Sequence, residues 1–290
     1  MCRLLGYAAD GTDMSLVDVL GDAAVEDFRG LSEIHHDGWG CALPADDEPA
    51  GDGPRAVGTG ADHAGGRVYR NTVEARHDPI FTQLSRQACR GALWHLRLAS
   101  SHLPVIVENQ QPFHAHGLSF IHNGDISDDR GRNIVEHADD VIGRKDFLAS
   151  GGRSDSALFF GVMLAYVRSG APLDSAVSQA IGRLRAICPK SSYNCMIQSP
   201  QSTVVVQASG RVDVPPRICE IYEDYGREGQ AHDYRTVRYR EVRDGRGALH
   251  AVVAASSGFD QPEGDGWREL GNDHMLVMSN RDATYEVRPL

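Results

Sequence analysis

The chain has 290 residues, 41% of them hydrophobic and 24% charged, with 13 prolines scattered along it, a composition that supports one large folded core and leaves little for disorder. A formal charge of −11 excludes the basic field through which proteins hold nucleic acid, so no nucleic-acid partner is expected. Six cysteines are few for the length and nothing marks secretion, and the longest apolar stretch, Leu158 to Val167, is about half of a bilayer span, which together read as reduced thiols in a cytoplasmic protein with no membrane partner.

Leu4 to Ala8 is a short apolar run that reads as a buried strand, so the N-terminus is expected to be tied into a sheet. Residues 15 to 29 read as a helix capped by Ser15, with Leu16, Val19, Leu20 and Ala23 on one side and Gly30 at its end. Residues 44 to 66 are dense in Gly, Pro, Asp and Ala without periodicity and read as a surface insertion. A short helix over 79 to 89 precedes a strand over 92 to 99, in which the two-residue period places His95 and Arg97 on one face. A strand over 118 to 122 ends at Asn123-Gly124, a pair that favours a tight turn with positive φ. Residues 128 to 152 read as a second insertion holding a marginal helix near 133 to 142.

Helices follow over 154 to 169, opened by Ser154 with Asp155 in its first turn, and over 172 to 188, opened by Pro172. From Asn194 the pattern is strand-like over 194–198, 203–208, 236–242, 248–255, 274–279 and 283–288. Strands, a helix pair, then strands again indicate an α+β fold with largely antiparallel sheets, and no internal repeat or linker divides the chain, so residues 1–290 read as a single domain. Arg235, Arg238, Arg240 and Arg243 read as a solvated strand face, with a small-anion site as the alternative. Cys41, Cys89, Cys188, Cys195 and Trp94 read as core residues.

The chemistry begins with Cys2. Initiator methionine is removed before small residues, which leaves a thiol and a free α-amine on one residue, and an amine with an unperturbed pKa of about 7.7 to 8.0 is suited to accept a thiol proton at neutral pH. An amide carbonyl attacked by that thiol becomes an oxyanion, for which the Asn123 side-chain amide and the Gly124 N–H are candidate donors. A substrate bearing a carboxylate and an ammonium needs a cation and an anion, and Arg97 and Asp155 are the candidates.

The opening Met1-Cys2-Arg3-Leu4-Leu5-Gly6-Tyr7 resembles that of stand-alone class II glutamine amidotransferases. Four more blocks follow in that family's order: His35-His36-Asp37-Gly38-Trp39-Gly40, His95-Leu96-Arg97-Leu98-Ala99-Ser100, His122-Asn123-Gly124 and Ser154-Asp155-Ser156. The resemblance implies a four-layer αββα sandwich of two stacked antiparallel sheets, the N-terminal-nucleophile hydrolase fold. It also implies an N-terminal cysteine amidohydrolase that cleaves a γ-glutamyl amide through a thioester, with Cys2, Asn123 and Gly124 catalytic, Arg97 and Asp155 binding substrate, and no metal or organic cofactor. Asp37-Gly38-Trp39-Gly40 carries no evident catalytic atom and is assigned to backbone shape, and Glu108 to Phe113 to shaping the substrate pocket.

In the large synthases of this class the block after the arginine reads Trp-Ala-Thr-His-Gly; here Leu98, Ala99, Ser100 and Ser101 follow Arg97. This resembles the stand-alone branch that includes the ergothioneine-pathway γ-glutamyl amidohydrolase. Alternatives are a glutaminase subunit that delivers ammonia to a separate synthase partner, a non-catalytic γ-glutamyl-binding protein, and a metal hydrolase using His35-His36 and His114-x-His116. The leaving amine and the oligomeric state, homo-oligomer or otherwise, have no sequence signal.

Overall fold

A computed structural model describes residues 2–44, 67–99, 103–210 and 213–290. The expected insertion over 44 to 66 therefore lies, Pro44 apart, outside the described residues. In chain order the elements begin with β1 (Arg3–Ala9), α1 (Leu16–Leu20), α2 (Asp22–Gly30), β2 (Trp39–Leu43), β3 (Arg67–Asn71), α3 (Pro79–Ser85), β4 (Gly91–Leu96), β5 (Phe113–Ala115) and β6 (Leu118–Asn123). A helical stretch follows with α4 (Ala138–Val141), α5 (Arg144–Ala149), α6 (Asp155–Arg168) and α7 (Leu173–Arg185). The chain closes with β7 (Asn194–Gln198), β8 (Ser202–Gln207), α8 (Pro216–Asp224), β9 (Val237–Arg243), β10 (Leu249–Ser256), β11 (Arg268–Glu269), β12 (His274–Ser279) and β13 (Tyr285–Pro289).

The strands form two antiparallel sheets, one in the order β11-β9-β10-β1-β4-β2-β3 and one in the order β13-β12-β8-β7-β6-β5. They stack face to face because every central strand is apolar on both sides. On β1, Leu4 and Ala8 point into the layer between the sheets with Leu93, Ile121, Met196 and Val205. Its alternate residues Leu5, Tyr7 and Ala9 pack with Val19, Phe28 and Phe81 of the first helical layer. On the far side, Phe120 and Ile197 meet Phe159, Phe160, Val177 and Ile181 of α6 and α7. The result is the expected α+β sandwich with helices outside both sheets.

Local rules explain most boundaries. Ser15 caps α1 in a capping box with Asp18, but the expected single helix breaks at Gly21, whose φ of 87° ends one helix and starts the next. Ser154 accepts the Ala157 N–H and opens α6 at Asp155. Pro172 occupies the cap of α7 rather than its first turn. The marginal helix near 133 to 142 is a 3₁₀ turn leading into α4, and α5, which has no strong periodicity, lies beyond it. All six cysteines are free, and only Cys219 is exposed. No helix among the described residues is long and apolar enough to cross a membrane.

Candidate active site

Cys2 sits immediately before β1, and the strand's alternation turns it, with Leu4, toward the layer between the sheets. It is 8% exposed. Its backbone nitrogen donates to Asn123 Oδ1 at 2.9 Å, which ties the start of β1 in one sheet to the end of β6 in the other. Its Sγ lies 3.8 Å from the Leu98 carbonyl. Register brings the third residue in: Arg3 pairs with Leu96 and Leu4 with His95, so the next pair outward is Cys2 with Arg97.

The strand expected over 92 to 99 stops at Leu96, and Arg97 lies just past it. There its N–H donates to Gly38 O at 2.9 Å and its carbonyl accepts the Asp37 N–H at 3.0 Å. Arg97 is 4% exposed, with Nη2 donating to Pro104 O at 3.3 Å. Its Nη1 has no partner among the described residues. A buried guanidinium donor left over in this way is open to an added acceptor.

Asp37-Gly38-Trp39-Gly40 holds this arginine in place through shape, as expected. A Cβ on Gly38, whose φ is 116°, would lie 2.3 Å from Asn71 O, and one on Gly40 would lie 2.3 Å from Gln111 O. Only glycine permits that approach. Asp37 Oδ2 accepts the Ala99 N–H at 2.7 Å, while Trp39 stacks on Trp94 at 6.0 Å in the core. The loop before β5 joins both sheets: Gln110 Nε2 donates to Asp37 O at 2.7 Å and Gln111 Oε1 accepts the His122 N–H at 2.6 Å.

Gly124 corrects one expectation. It is not among the residues with positive φ; glycine is needed there because a Cβ would lie 2.1 Å from Ser192 O and 2.4 Å from His122 Nε2. The crowding comes from a buried network with no local signature in the sequence. His122 Nε2 lies 2.9 Å from the Ser192 carbonyl, which can only accept, so Nε2 carries the hydrogen. His122 Nδ1 is then the acceptor for the Ser156 hydroxyl at 2.9 Å, and burial keeps the ring's pKa below its usual value. Ser192 Oγ donates to Asn123 O at 3.2 Å. His122, just before the expected oxyanion donors, and the Asn123 carbonyl are thereby fixed from Ser156 of α6 and from Ser192 before β7.

Asp155 stands apart from the other four. Its Oδ2 accepts the Ile126 N–H and its Oδ1 the Ser156 N–H, both at 2.9 Å, so it pins the segment leaving Gly124 to the start of α6. Burial raises its carboxyl above the usual range, with nearby His122 opposing. Each oxygen retains a second lone pair for a ligand. The structure thus joins Cys2 to Asn123 by a hydrogen bond, places Arg97 opposite Cys2 by strand register, and connects Asp155 to this group through Ile126 and through Ser156 and His122.

Three further residues belong to this centre. His95 is buried beneath Arg97, and desolvation followed by the Arg97 charge lowers its pKa to about 3, so the ring is neutral. Arg3, on the opposite face of β1 from Cys2, is 1% exposed and donates to His35 Nε2 at 3.1 Å, to Tyr234 O at 2.9 Å and to the Tyr222 hydroxyl. Asn194, paired with Asn123 across β6 and β7, accepts the Ala208 N–H at 2.7 Å and donates to Arg235 O at 2.6 Å. In the sequence His95 is visible through its two-residue spacing from Arg97 and Arg3 through the opening motif, whereas Asn194 carries no signal. His35 is committed to Arg3, and among the described residues no group of three or more His, Cys, Asp or Glu is arranged to hold a metal.

No known family model matches the chain, and no curated protein matches it. Solved structures do. A glutamine aminotransferase class-II domain protein from Silicibacter pomeroyi is 20% identical over 100% of this chain and 99% of its own, with a TM-score of 0.58. A predicted glutamine amidotransferase from Pseudomonas aeruginosa is 16% identical over 100% of both chains, with a TM-score of 0.53. The glutamine phosphoribosylpyrophosphate amidotransferase from B. subtilis is 14% identical with a TM-score of 0.57, and this chain spans 49% of it. The chain therefore has the class II glutamine amidotransferase fold.

Proposed function

We propose that the protein is an N-terminal cysteine amidohydrolase that cleaves a γ-glutamyl amide and releases glutamate. The observation that carries this reading is the joining of Cys2 to Asn123 at 2.9 Å beside a buried Arg97 whose Nη1 has no partner among the described residues. Removal of Met1 converts the Cys2 nitrogen into an amine that keeps its bond to Asn123 Oδ1 and takes the thiol proton. With the carbonyl end of Asn123 facing Cys2, its NH₂ end and the Gly124 N–H are the donors for an oxyanion.

The substrate carboxylate pairs with Arg97 and its ammonium with Asp155, which restores the charged form that burial disfavours. The thiolate attacks the γ-carbonyl, the C–N bond breaks, and the Cys2 ammonium returns the proton to the departing amine. Water then attacks the thioester, gives its proton to the Cys2 amine, and the C–S bond breaks to free glutamate. Besides the substrate and one water, these steps use side chains and backbone of this chain.

The test is glutamate release from a panel of glutamine and larger γ-glutamyl amides, comparing the wild-type protein with Cys2→Ala. Turnover lost in Cys2→Ala establishes the chemistry. Substrate binding without turnover by a protein shown to lack Met1 points instead to the binding-protein reading, and glutamine turnover that appears only with a synthase chain points to ammonia delivery.

A further inference from the structure

The same mouth of the sandwich that holds Cys2 has a second station. A pocket of about 240 Å³ is lined, among the described residues, by Gln207, Ser209, His232, Arg235, Thr236 and Asn272 with Val214 and Tyr234, none of them a carboxylate. In a chain of net charge −11, a wall of one guanidinium, one imidazole, amides and hydroxyls, with Val214 and the Tyr234 ring as its apolar part, favours an anion. Asp233, beside the lining residue His232, pairs with Arg238 at 3.0 Å, and Asp273, beside Asn272, pairs with Arg185. Arg235 thus leaves the solvated arginine face and lies over the Tyr234 ring at 4.7 Å, facing the pocket.

Topology sets the pocket's relation to the nucleophile. Along one sheet the mouth runs from Arg97 at the end of β4, past Cys2 at the start of β1 and across β10, to Thr236 at the start of β9. Along the other it runs from Asn123 at the end of β6, past Asn194 and Gln207, to Asn272 before β12. The clamp for the acyl half lies on one side of Cys2 and the pocket on the other. Two hydrogen bonds tie the pocket's segment to the strands that begin at the site: Arg3, from the face of β1 opposite Cys2, donates to Tyr234 O at 2.9 Å, and Asn194, across from Asn123, donates to Arg235 O at 2.6 Å. Val237 N–H donates to Gln207 Oε1 at 2.5 Å and closes the pocket between the sheets.

We infer that this pocket is the subsite for the leaving amine, and that the amine it takes ends in a carboxylate about two residues beyond the scissile bond. The inference rests on the γ-glutamyl reading above. The strands β1 and β9 are two spacings apart, about 10 Å. An extended residue spans about 3.3 to 3.6 Å, so ammonia or methylamine stops short of Arg235, whereas an amine of dipeptide length reaches it.

The experiment uses two substrates that differ only at that end: γ-glutamyl-alanyl-glycine and its C-terminal carboxamide, with glutamine alongside. The wild-type protein is expected to prefer the free carboxylate by about tenfold or more in kcat/KM, the effect of one charge-assisted hydrogen bond. Arg235→Gln is expected to bring that ratio toward one, with its melting temperature reported alongside. Equal rates for carboxylate and carboxamide in the wild-type protein overturn the inference, as does an Arg235→Gln protein that keeps the preference. Cleavage of glutamine but of neither tripeptide overturns it while the amidohydrolase reading stands. Should nothing be cleaved, that reading fails, and calorimetry of alanyl-glycine with the Cys2→Ala protein decides the pocket: binding that Arg235→Gln removes sustains a carboxylate site, and no binding overturns it.

Discussion

Gly124→Ala tests the turn that is read as the oxyanion site. The added Cβ would lie 2.1 Å from Ser192 O, 2.4 Å from His122 Nε2 and 2.8 Å from His122 Cε1. None of these yields cheaply, because Ser192 O is backbone and the His122 ring is held at both nitrogens. The turn must move instead and carry the Asn123 amide and the Gly124 N–H out of alignment. Displacing an oxyanion donor costs roughly 2.7 to 4 kcal/mol of barrier, about 10² to 10³ in kcat, and overpacking adds about 1 to 3 kcal/mol of destabilisation. Steady-state glutamate release with a thermal melt measures both. The expected result is a large fall in kcat with a smaller change in KM, in a protein still folded at the assay temperature. Wild-type kcat and melting temperature in Gly124→Ala would refute the crowding at this turn and the role built on it.

Gly182→Ala, in the last turn of α7 with nothing within 4 Å of the added methyl group, is the matched control and should stabilise the fold by up to about 1 kcal/mol, read as a rise in denaturation midpoint. Arg97→Lys keeps the charge but loses the planar fork, so kcat/KM for a γ-glutamyl substrate should fall by about tenfold or more; an unchanged value removes Arg97 from the clamp. His95 supplies a pH prediction. Its folded pKa of about 3 lies below the ordinary 6.5, so its contribution to stability is complete above pH 6.5 and is lost as pH falls from there toward 3. The slope for this one group approaches about 1.4 kcal/mol per pH unit. Denaturant midpoints between pH 7 and 4.5 should therefore fall less steeply in His95→Asn than in the wild-type protein.

Much of the architecture is legible in the sequence because local rules and tertiary demands agree. Ser154 and Asp155 open α6 where capping chemistry places the start, and β7 and β12 have the boundaries that their apolar runs indicate. Other elements exist only through distant partners. β2 contains Gly40, a poor strand former, and is a strand because Tyr69 and Gln111 backbones close on it. α8 is covered by an apolar contact of Ile218 and Tyr222 with Ile34 and Tyr234 that no local pattern announces.

The site divides in the same way. Cys2, Arg97 and Asn123 can be named from motifs, since each carries its chemistry in its own side chain. The reason Gly124 must be glycine cannot, because it depends on Ser192, which is 68 positions away in sequence yet 2.1 Å from a Cβ built there. By sequence Arg235 is one of four arginines on a strand, and only the fold separates it from Arg238, which pairs with Asp233.

The central claim is that Cys2 is the N-terminal nucleophile, and mass analysis of the N-terminal peptide after rapid acid quench with substrate tests it most directly. The predicted peptide begins at Cys2 without Met1 and carries a γ-glutamyl group on the cysteine sulfur, absent from Cys2→Ala. Retained Met1 in a protein that still releases glutamate, or an acyl group on any other residue, would contradict it.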